Sequence, residues 1–420
     1  MFLNERNWKL RMVKSRGTLL GRFILLFIFL SACLGHIWVI PVSADQQHGI
    51  TASLRLQETY DDNVQFRGDD DFIHKVSPSI ALSAVSELTE LQFSAELDII
   101  EYQNNGSLSS VDQYYQAHGG LALEERVELD LAASYVKDTT FSSEYEETGI
   151  VVKSTDRNTA AVNPVATFWL GPRDRMQFSY TYRDTSYDSD DFRDYVAHRL
   201  ISAWLHGLKD EKTTLGLLVG ATRVEFGDTV DNPNEDRTDN TIRAGVQVDH
   251  WFSETFIVNL KAGVRHTKSD IDGRDNSTDT GFVGDLAARW IFERSSLSAW
   301  VNQNVVPSAA GQSVNRTLVN LGLNYRFTEK FSGNLSGRYR RSESLDENET
   351  VNTFGVTPSL NYQFGRNLGL NLSYSYSKTD RDGSERDDER NRIFLQLRWL
   401  IHRPEWRVKE PRPLVTWAHR

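Results

Sequence analysis

Arg392-Ile393-Phe394-Leu395-Gln396-Leu397-Arg398-Trp399 changes face at every residue. Ile393, Leu395, Leu397 and Trp399 share one side, while Arg392, Phe394, Gln396 and Arg398 share a mostly polar other side. An extended strand produces this period of two, because successive side chains point in opposite directions. The same alternation returns about eighteen times between Ile50 and Leu400. Apolar outside and polar inside, over many uniform strands, is the pattern of a transmembrane β-barrel.

Working back from that strand, the other runs are similar in kind. Ile50, Ala52, Leu54 and Leu56 mark the first. Val76, Pro78, Ile80 and Leu82 mark the second, and Leu91, Phe93, Ala95, Leu97 and Ile99 the third. The run from Tyr195 to Leu205 has apolar residues in both phases, so its facing cannot be read. Connections alternate between short ones, such as Ser253-Glu254-Thr255 and Gly365-Arg366-Asn367, and longer ones, such as 61–71, 138–155, 226–238 and 378–390. Bacterial outer-membrane barrels have short periplasmic turns and longer outer loops. An even strand number would leave both ends of the barrel on the periplasmic side. Trp169, Trp251, Trp290, Phe327, Phe364 and Trp399 stand beside turns, where amphipathic rings favour the headgroup level.

The chain has 420 residues, a net charge of −11 and a mean hydropathy of −0.48. Low bulk hydropathy is compatible with a barrel, since only alternate residues meet lipid. Residues 1–44 carry six Lys/Arg against Glu5, which leaves −16 on the remainder. Such an acidic body argues against nucleic acid as a partner. The basic stretch ends at Arg22, an apolar run follows to about Val42, and Val42-Ser43-Ala44 supplies small residues for cleavage. This reads as an export signal cut after Ala44. Leu30-Ser31-Ala32-Cys33 offers a second reading, lipidation at Cys33. The length of the apolar run also allows an uncleaved anchor. Cys33 is the only cysteine, so the body can form no disulfide and no Cys-ligated metal site.

If the apolar face meets lipid, the other face lines the interior. The candidates there are Arg55, Glu96, Asp98, Arg243, Asp249, Arg265, Asp285, Arg289, Arg338, Arg340 and Arg398. A watery lumen spares these charges the desolvation they would suffer in lipid. Opposed signs across it would set up a transverse field along a path for polar solutes. The plainer alternative is that the charges solvate or brace the interior. Acid-rich stretches such as Asp61-Asp62 and Asp69-Asp70-Asp71 read as solvated loops. None has the spacing of an EF-hand. The ten histidines lack metal-ligand spacing, and no hydrolase, nucleotide or dinucleotide fingerprint occurs. No catalytic residue, metal or cofactor is therefore expected. Pro404, Pro411 and Pro413 end the strand pattern, which makes 401–420 a basic, proline-rich tail.

Glu58-Thr59-Tyr60-Asp61-Asp62-Asn63-Val64 resembles the opening segment of a family of porin-like outer-membrane β-barrels. Their genes accompany exopolysaccharide and exosortase clusters. Val76-Ser77-Pro78-Ser79-Ile80 and Asn324-Tyr325-Arg326-Phe327-Thr328-Glu329-Lys330 are similar in style. The resemblance implies an outer-membrane barrel serving polymer export, and it carries over no catalytic residues.

The expectation is an all-β chain. It has a signal peptide at 1–44, an antiparallel up-and-down transmembrane barrel of about eighteen strands at 45–400, and a tail at 401–420. Its expected function is that of a non-enzymatic porin-like channel or scaffold in the bacterial outer membrane. The partners would be outer-membrane lipid, polar solutes or polysaccharide, and periplasmic export proteins. The alternative is a structural or adhesive barrel whose acidic outer loops bind an external partner. Substrate and oligomeric state are not legible.

Overall fold

A computed structural model describes residues 47–66, 68–149, 153–227, 236–271, 276–346, 349–382 and 388–402. The signal segment, with Ala44 and Cys33, and the tail from residue 403 onward lie outside the described residues.

Eighteen strands follow one another along the chain. The first six are β1 (Gln47–Val64), β2 (Asp69–Val85), β3 (Thr89–Tyr102), β4 (Ser110–Glu124), β5 (Val127–Thr139) and β6 (Asp156–Trp169). Then come β7 (Asp174–Tyr187), β8 (Tyr195–Gly207), β9 (Thr213–Phe226), β10 (Arg237–Ser253), β11 (Phe256–Ile271) and β12 (Ser277–Ile291). The last six are β13 (Ser295–Pro307), β14 (Ser313–Arg326), β15 (Phe331–Ser344), β16 (Thr350–Gln363), β17 (Leu368–Arg381) and β18 (Asp388–His402). Each pairs antiparallel with its sequence neighbours, and β18 returns to pair with β1 through Leu54↔Trp399 and Asp61↔Arg392. The sheet is a closed meander, so no strand edge is left at a seam between first and last.

Alternation decides which face is which. Ile393, Leu395, Trp399 and Ile401 point outward from β18 at about half exposure, and Ile242 and Phe282 are 69% and 72% exposed. A belt of apolar side chains this extensive would be an aggregation surface in water; facing hydrocarbon it is the favoured arrangement. The unreadable phase of β8 is settled here. Leu200 and Trp204 face out, while Ala203 and Leu205 are buried inside.

Three prolines occupy strand interiors without breaking the barrel. Pro78, Pro164 and Pro358 are all exposed on the outer face. Each falls where the ladder to the next strand is interrupted: between Val76↔Ile99 and Ser79↔Glu96, between Val162↔Tyr182 and Val165↔Ser179, and between Val356↔Tyr376 and Ser359↔Ser373. Proline has no N–H to give the ladder, so the interruption is its direct consequence. Beside Pro164 the Asn163 side chain donates to the Tyr180 carbonyl oxygen at 2.8 Å, replacing part of what the backbone cannot supply.

The turn end carries stacked rings. Phe252, Phe256, Trp290 and Phe292 form one chain with centroid separations of 5.0, 5.4 and 4.6 Å. Tyr325, Phe327 and Phe331 form another at 5.0 Å each. This is the interfacial girdle expected where strands leave lipid.

Two expectations about loops are corrected. Asp61 and Asp69–Asp71 belong to β1 and β2, not to a long loop, because β1 continues to Val64 and β2 begins at Asp69. The 138–155 connection, expected as one of the long outer loops, folds inward over part of its described length. Its Thr140–Glu147 segment is a helix, α1, whose Thr140, Glu144 and Tyr145 are buried.

Candidate functional site: a helix held across the lumen

α1 begins at a local signal. Thr139 takes the N-cap position and its side-chain oxygen accepts from the Ser142 amide at 3.3 Å, satisfying a donor the first turn leaves free. Phe141 and Tyr145, one turn apart, stack at 5.7 Å. Eight residues are too few to be helical alone, so tertiary contacts must hold the segment.

Those contacts come from the far side of the ring. The last carbonyls of a helix have no internal partner, and the dipole makes that end negative. Here four arginines serve it. Arg340 donates to the Tyr145 carbonyl oxygen at 2.5 Å, Arg338 to that of Glu146 at 3.0 Å, Arg316 to that of Glu147 at 3.2 Å, and Arg381 to that of Gly149 at 3.2 Å. They stand on β14, β15 and β17, whereas α1 leaves the barrel wall between β5 and β6. In a ring of eighteen those positions face one another, so α1 is a bar across the interior. Gly149 sits at φ +79°, and a Cβ there would approach an Arg340 nitrogen to 2.5 Å. Glycine is needed for both the turn and the close approach.

The helix's acidic face is met from its own side. Arg157 on β6 lies 3.2 Å from Asp138, 3.6 Å from Glu144 and 3.4 Å from Glu147. Glu144 also accepts from the Ala309 amide at 3.0 Å and from the Tyr187 hydroxyl at 3.3 Å. Burial pushes the Glu144 carboxyl up from the ordinary glutamate range. Burial acts on Glu147 in the same direction, yet Arg157, Arg183 and Arg316 together hold it below that range. At the helix's start, Arg390 stacks over Phe66 and Phe141 at 5.7 and 5.1 Å and binds Asp61 through Nε at 2.9 Å. Tyr145 reaches Thr379 on β17 with its hydroxyl, at 2.7 Å.

On either side of the bar the walls differ in sign. The inward phases of β3, β4 and β5 carry Glu90, Glu96, Asp98, Asp112, Glu128 and Asp130. The inward phases of β7, β8, β10 and β11 carry Arg183, Arg199, Arg243 and Lys261.

The residues nominated from sequence fall into several settings. Arg55 bonds Glu96 and lies 3.9 Å from Asp98, which Lys75 also contacts at 2.5 Å. Asp249 accepts from Gln247 and Asn259, each at 2.8 Å. Arg265 is paired with Asp279, and Asp285 accepts from Asn302 at 2.5 Å. Arg338 and Arg340 are helix-holding residues. Arg289 and Arg398 stand exposed near the turn end, away from α1. Arg243 lies mid-wall. Alternation alone does not single out Arg157, Arg183, Arg199, Arg316, Arg381 and Arg390. The Thr139 cap and the Phe141/Tyr145 spacing within an acidic loop are the local signs of the helix they serve.

A closed barrel with a lipid-facing apolar belt, a charged interior and a loop segment folded inside is a porin-like barrel of the bacterial outer membrane, and this chain forms one. Residues 296–400, from β13 through most of β18, match the family described as "putative beta-barrel porin 2". No curated protein sequence matches the chain. Among solved structures, it is similar to OccK2 (OpdF) from Pseudomonas aeruginosa in complex with glucuronate, at 10% identity over 85% of this chain and 99% of that one, with a TM-score of 0.48. It is also similar to the outer membrane protein OpdK of the same organism, at 12% identity over 84% of this chain and 99% of that one, with a TM-score of 0.46. The FrpB iron transporter from Neisseria meningitidis aligns at 13% identity over 79% of this chain, with a TM-score of 0.46, and the chain spans 62% of that transporter's length.

Proposed function

We propose that this barrel is a non-enzymatic, passive channel for small polar solutes, with α1 as its constriction. The observation that carries this reading is the helix bar itself, whose C-terminal carbonyls are held by Arg316, Arg338, Arg340 and Arg381 from the opposite wall. A bar between oppositely charged walls narrows the path and imposes a transverse field, so that passage depends on size and charge.

Export of an exopolysaccharide, implied by the family resemblance, would require α1 to leave the lumen and break these bonds together. The geometry therefore favours small solutes over polymer. It also disfavours an adhesive barrel with acidic loops offered to a partner. Asp61 is spent on Arg390, Asp71 on the backbone and side chain of Asn104–Asn105, and Asp346 on Arg237. Residues 1–44 serve in this reading as the export signal, with cleavage after Ala44 just ahead of β1.

Planar-bilayer recording on the purified barrel tests it. The expected result is a small, steady conductance that grows when residues 141–148 are replaced by a short Gly/Ser link. Silence from both the intact protein and the shortened one would remove the channel reading.

A further inference from the structure

The geometry points to a binding site for a carboxylate-bearing solute at Arg199 and Arg243. This rests on the channel reading and adds the class of solute to it. Most interior arginines are already engaged. Arg157, Arg316, Arg338, Arg340 and Arg381 hold α1, and Arg237, Arg265 and Arg390 have carboxylate partners. Among the described residues, Arg392 on β18 has only the Phe394 ring beside it, at 5.2 Å, and Arg199 and Arg243 have no partner of either kind. Neither of these two makes a hydrogen bond or ion pair, and Arg243 Nε is buried without any acceptor. Both are half-buried and stand on inward phases, separated by the single strand β9.

The wall between them is shaped to let them converge. Gly220 on β9 lies opposite Arg243, and a Cβ there would meet Arg243 Nε at 2.9 Å and Cγ at 3.3 Å. The Arg243 side chain therefore lies across β9, toward the strand that carries Arg199. Thr222, the register partner of Arg199, adds a hydroxyl beside it. Two guanidinium groups with unfilled donors, close to one another inside a barrel, repel until an anion lies between them. A carboxylate suits a planar fork of N–H donors and accepts from both. Asp285 on β12 is an interior carboxylate whose charge reaches both arginines, but it makes no ion pair with either and accepts from Asn302.

Two measurements test the site separately from the channel. Titration of the detergent-solubilised full barrel with succinate should show binding, weakened about tenfold or more in Arg199→Ala and in Arg243→Ala, as expected on losing a charge-assisted contact. Gly220→Val, which removes the space for Arg243 without changing charge, should weaken it as well. Arg366→Ala, in an exposed turn, should not. Far-UV circular dichroism establishes that each variant is folded. In bilayers, succinate should block potassium chloride current in the intact protein and fail to do so in the double variant. Binding without any conductance would keep the site and overturn the channel. Conductance with no succinate binding, or with binding unchanged in the double variant, would overturn the site and keep the channel.

Discussion

Arg340 and Tyr145 are 195 residues apart in sequence, yet the Arg340 guanidinium donates to the Tyr145 carbonyl oxygen at 2.5 Å and also lies over the tyrosine ring at 5.3 Å. That single side chain, 2% exposed, joins the far wall to the helix bar through a charged hydrogen bond and a cation–π contact.

Arg340→Ala should loosen α1. Hydrogen bonds to charged groups contribute about 1.5–3 kcal/mol each, and three other arginines remain, so the barrel itself should stay folded. The expected outcome is a larger and noisier single-channel conductance, with faster proteolysis within 138–155. An unchanged trace would show that the helix is held by its other contacts alone.

Arg157→Ala should be more damaging. It takes the ion-pair partner away from Asp138 and Glu144, both buried, and removing one partner of a buried pair costs about 3–5 kcal/mol. Urea unfolding should shift to lower concentration. The companion Arg157→Ala/Glu144→Gln variant should recover part of the loss, because a neutral amide replaces a buried acid that would otherwise have to stay charged without its partner or take up a proton.

The docking of α1 should depend on pH through Glu144. Its carboxyl is raised in the folded state by burial, so the protonated form is the one the docked helix prefers. Its contribution is fully present below the ordinary glutamate value of 4.5 and is lost as pH climbs through the raised value. Conductance should therefore increase across that rise, and Glu144→Gln should flatten the profile. Glu147, lowered in the folded state, acts with the opposite sign and only in acid below that range. A Glu144→Gln profile identical to that of the native chain would refute the assignment.

Face should decide tolerance on β18. Leu395→Arg places a charge on the lipid side of a strand and should cost about 2–4 kcal/mol if it lies near the bilayer midplane. Gln396→Arg, its inward neighbour, should cost far less. Unfolding midpoints in liposomes give the comparison.

The β12–β13 ladder should be the softest part of the wall. It pairs only Gly284–Ile291 with Ser296–Gln303, leaving Ser277–Val283 of β12 bonded to β11 alone. Hydrogen exchange should be faster over 277–283 than over 285–291, because exchange follows local opening. Equal protection would mean the upper ladder closes in solution.

Much of this architecture is written in alternation. A residue's face in a strand follows from its position modulo two, so Ile393, Leu395 and Trp399 announce the outer surface without further information. Strand number, short turns and the aromatic ring at the turn end follow from the same local grammar. β8 is the exception, since Ala203 and Leu205 are apolar on the inside as well. They lie on the same inward phase as Tyr195, which packs with Tyr187, Phe226 and Ala309.

The site was far less legible, for a physical reason. Local sequence fixes which side a charge faces but not which charge stands across from it. The pairing of Arg340 with Tyr145, the grouping of acids on β3–β5 against bases on β7–β11, and the leftover donors of Arg199 and Arg243 are all products of ring closure. Closure sets distances between strands that are remote in the chain. The sequence by itself determined a membrane-spanning barrel with a charged interior. Only the tertiary structure decided that a short acidic loop would fold inward as a helix, because its stabilising partners lie on the opposite wall.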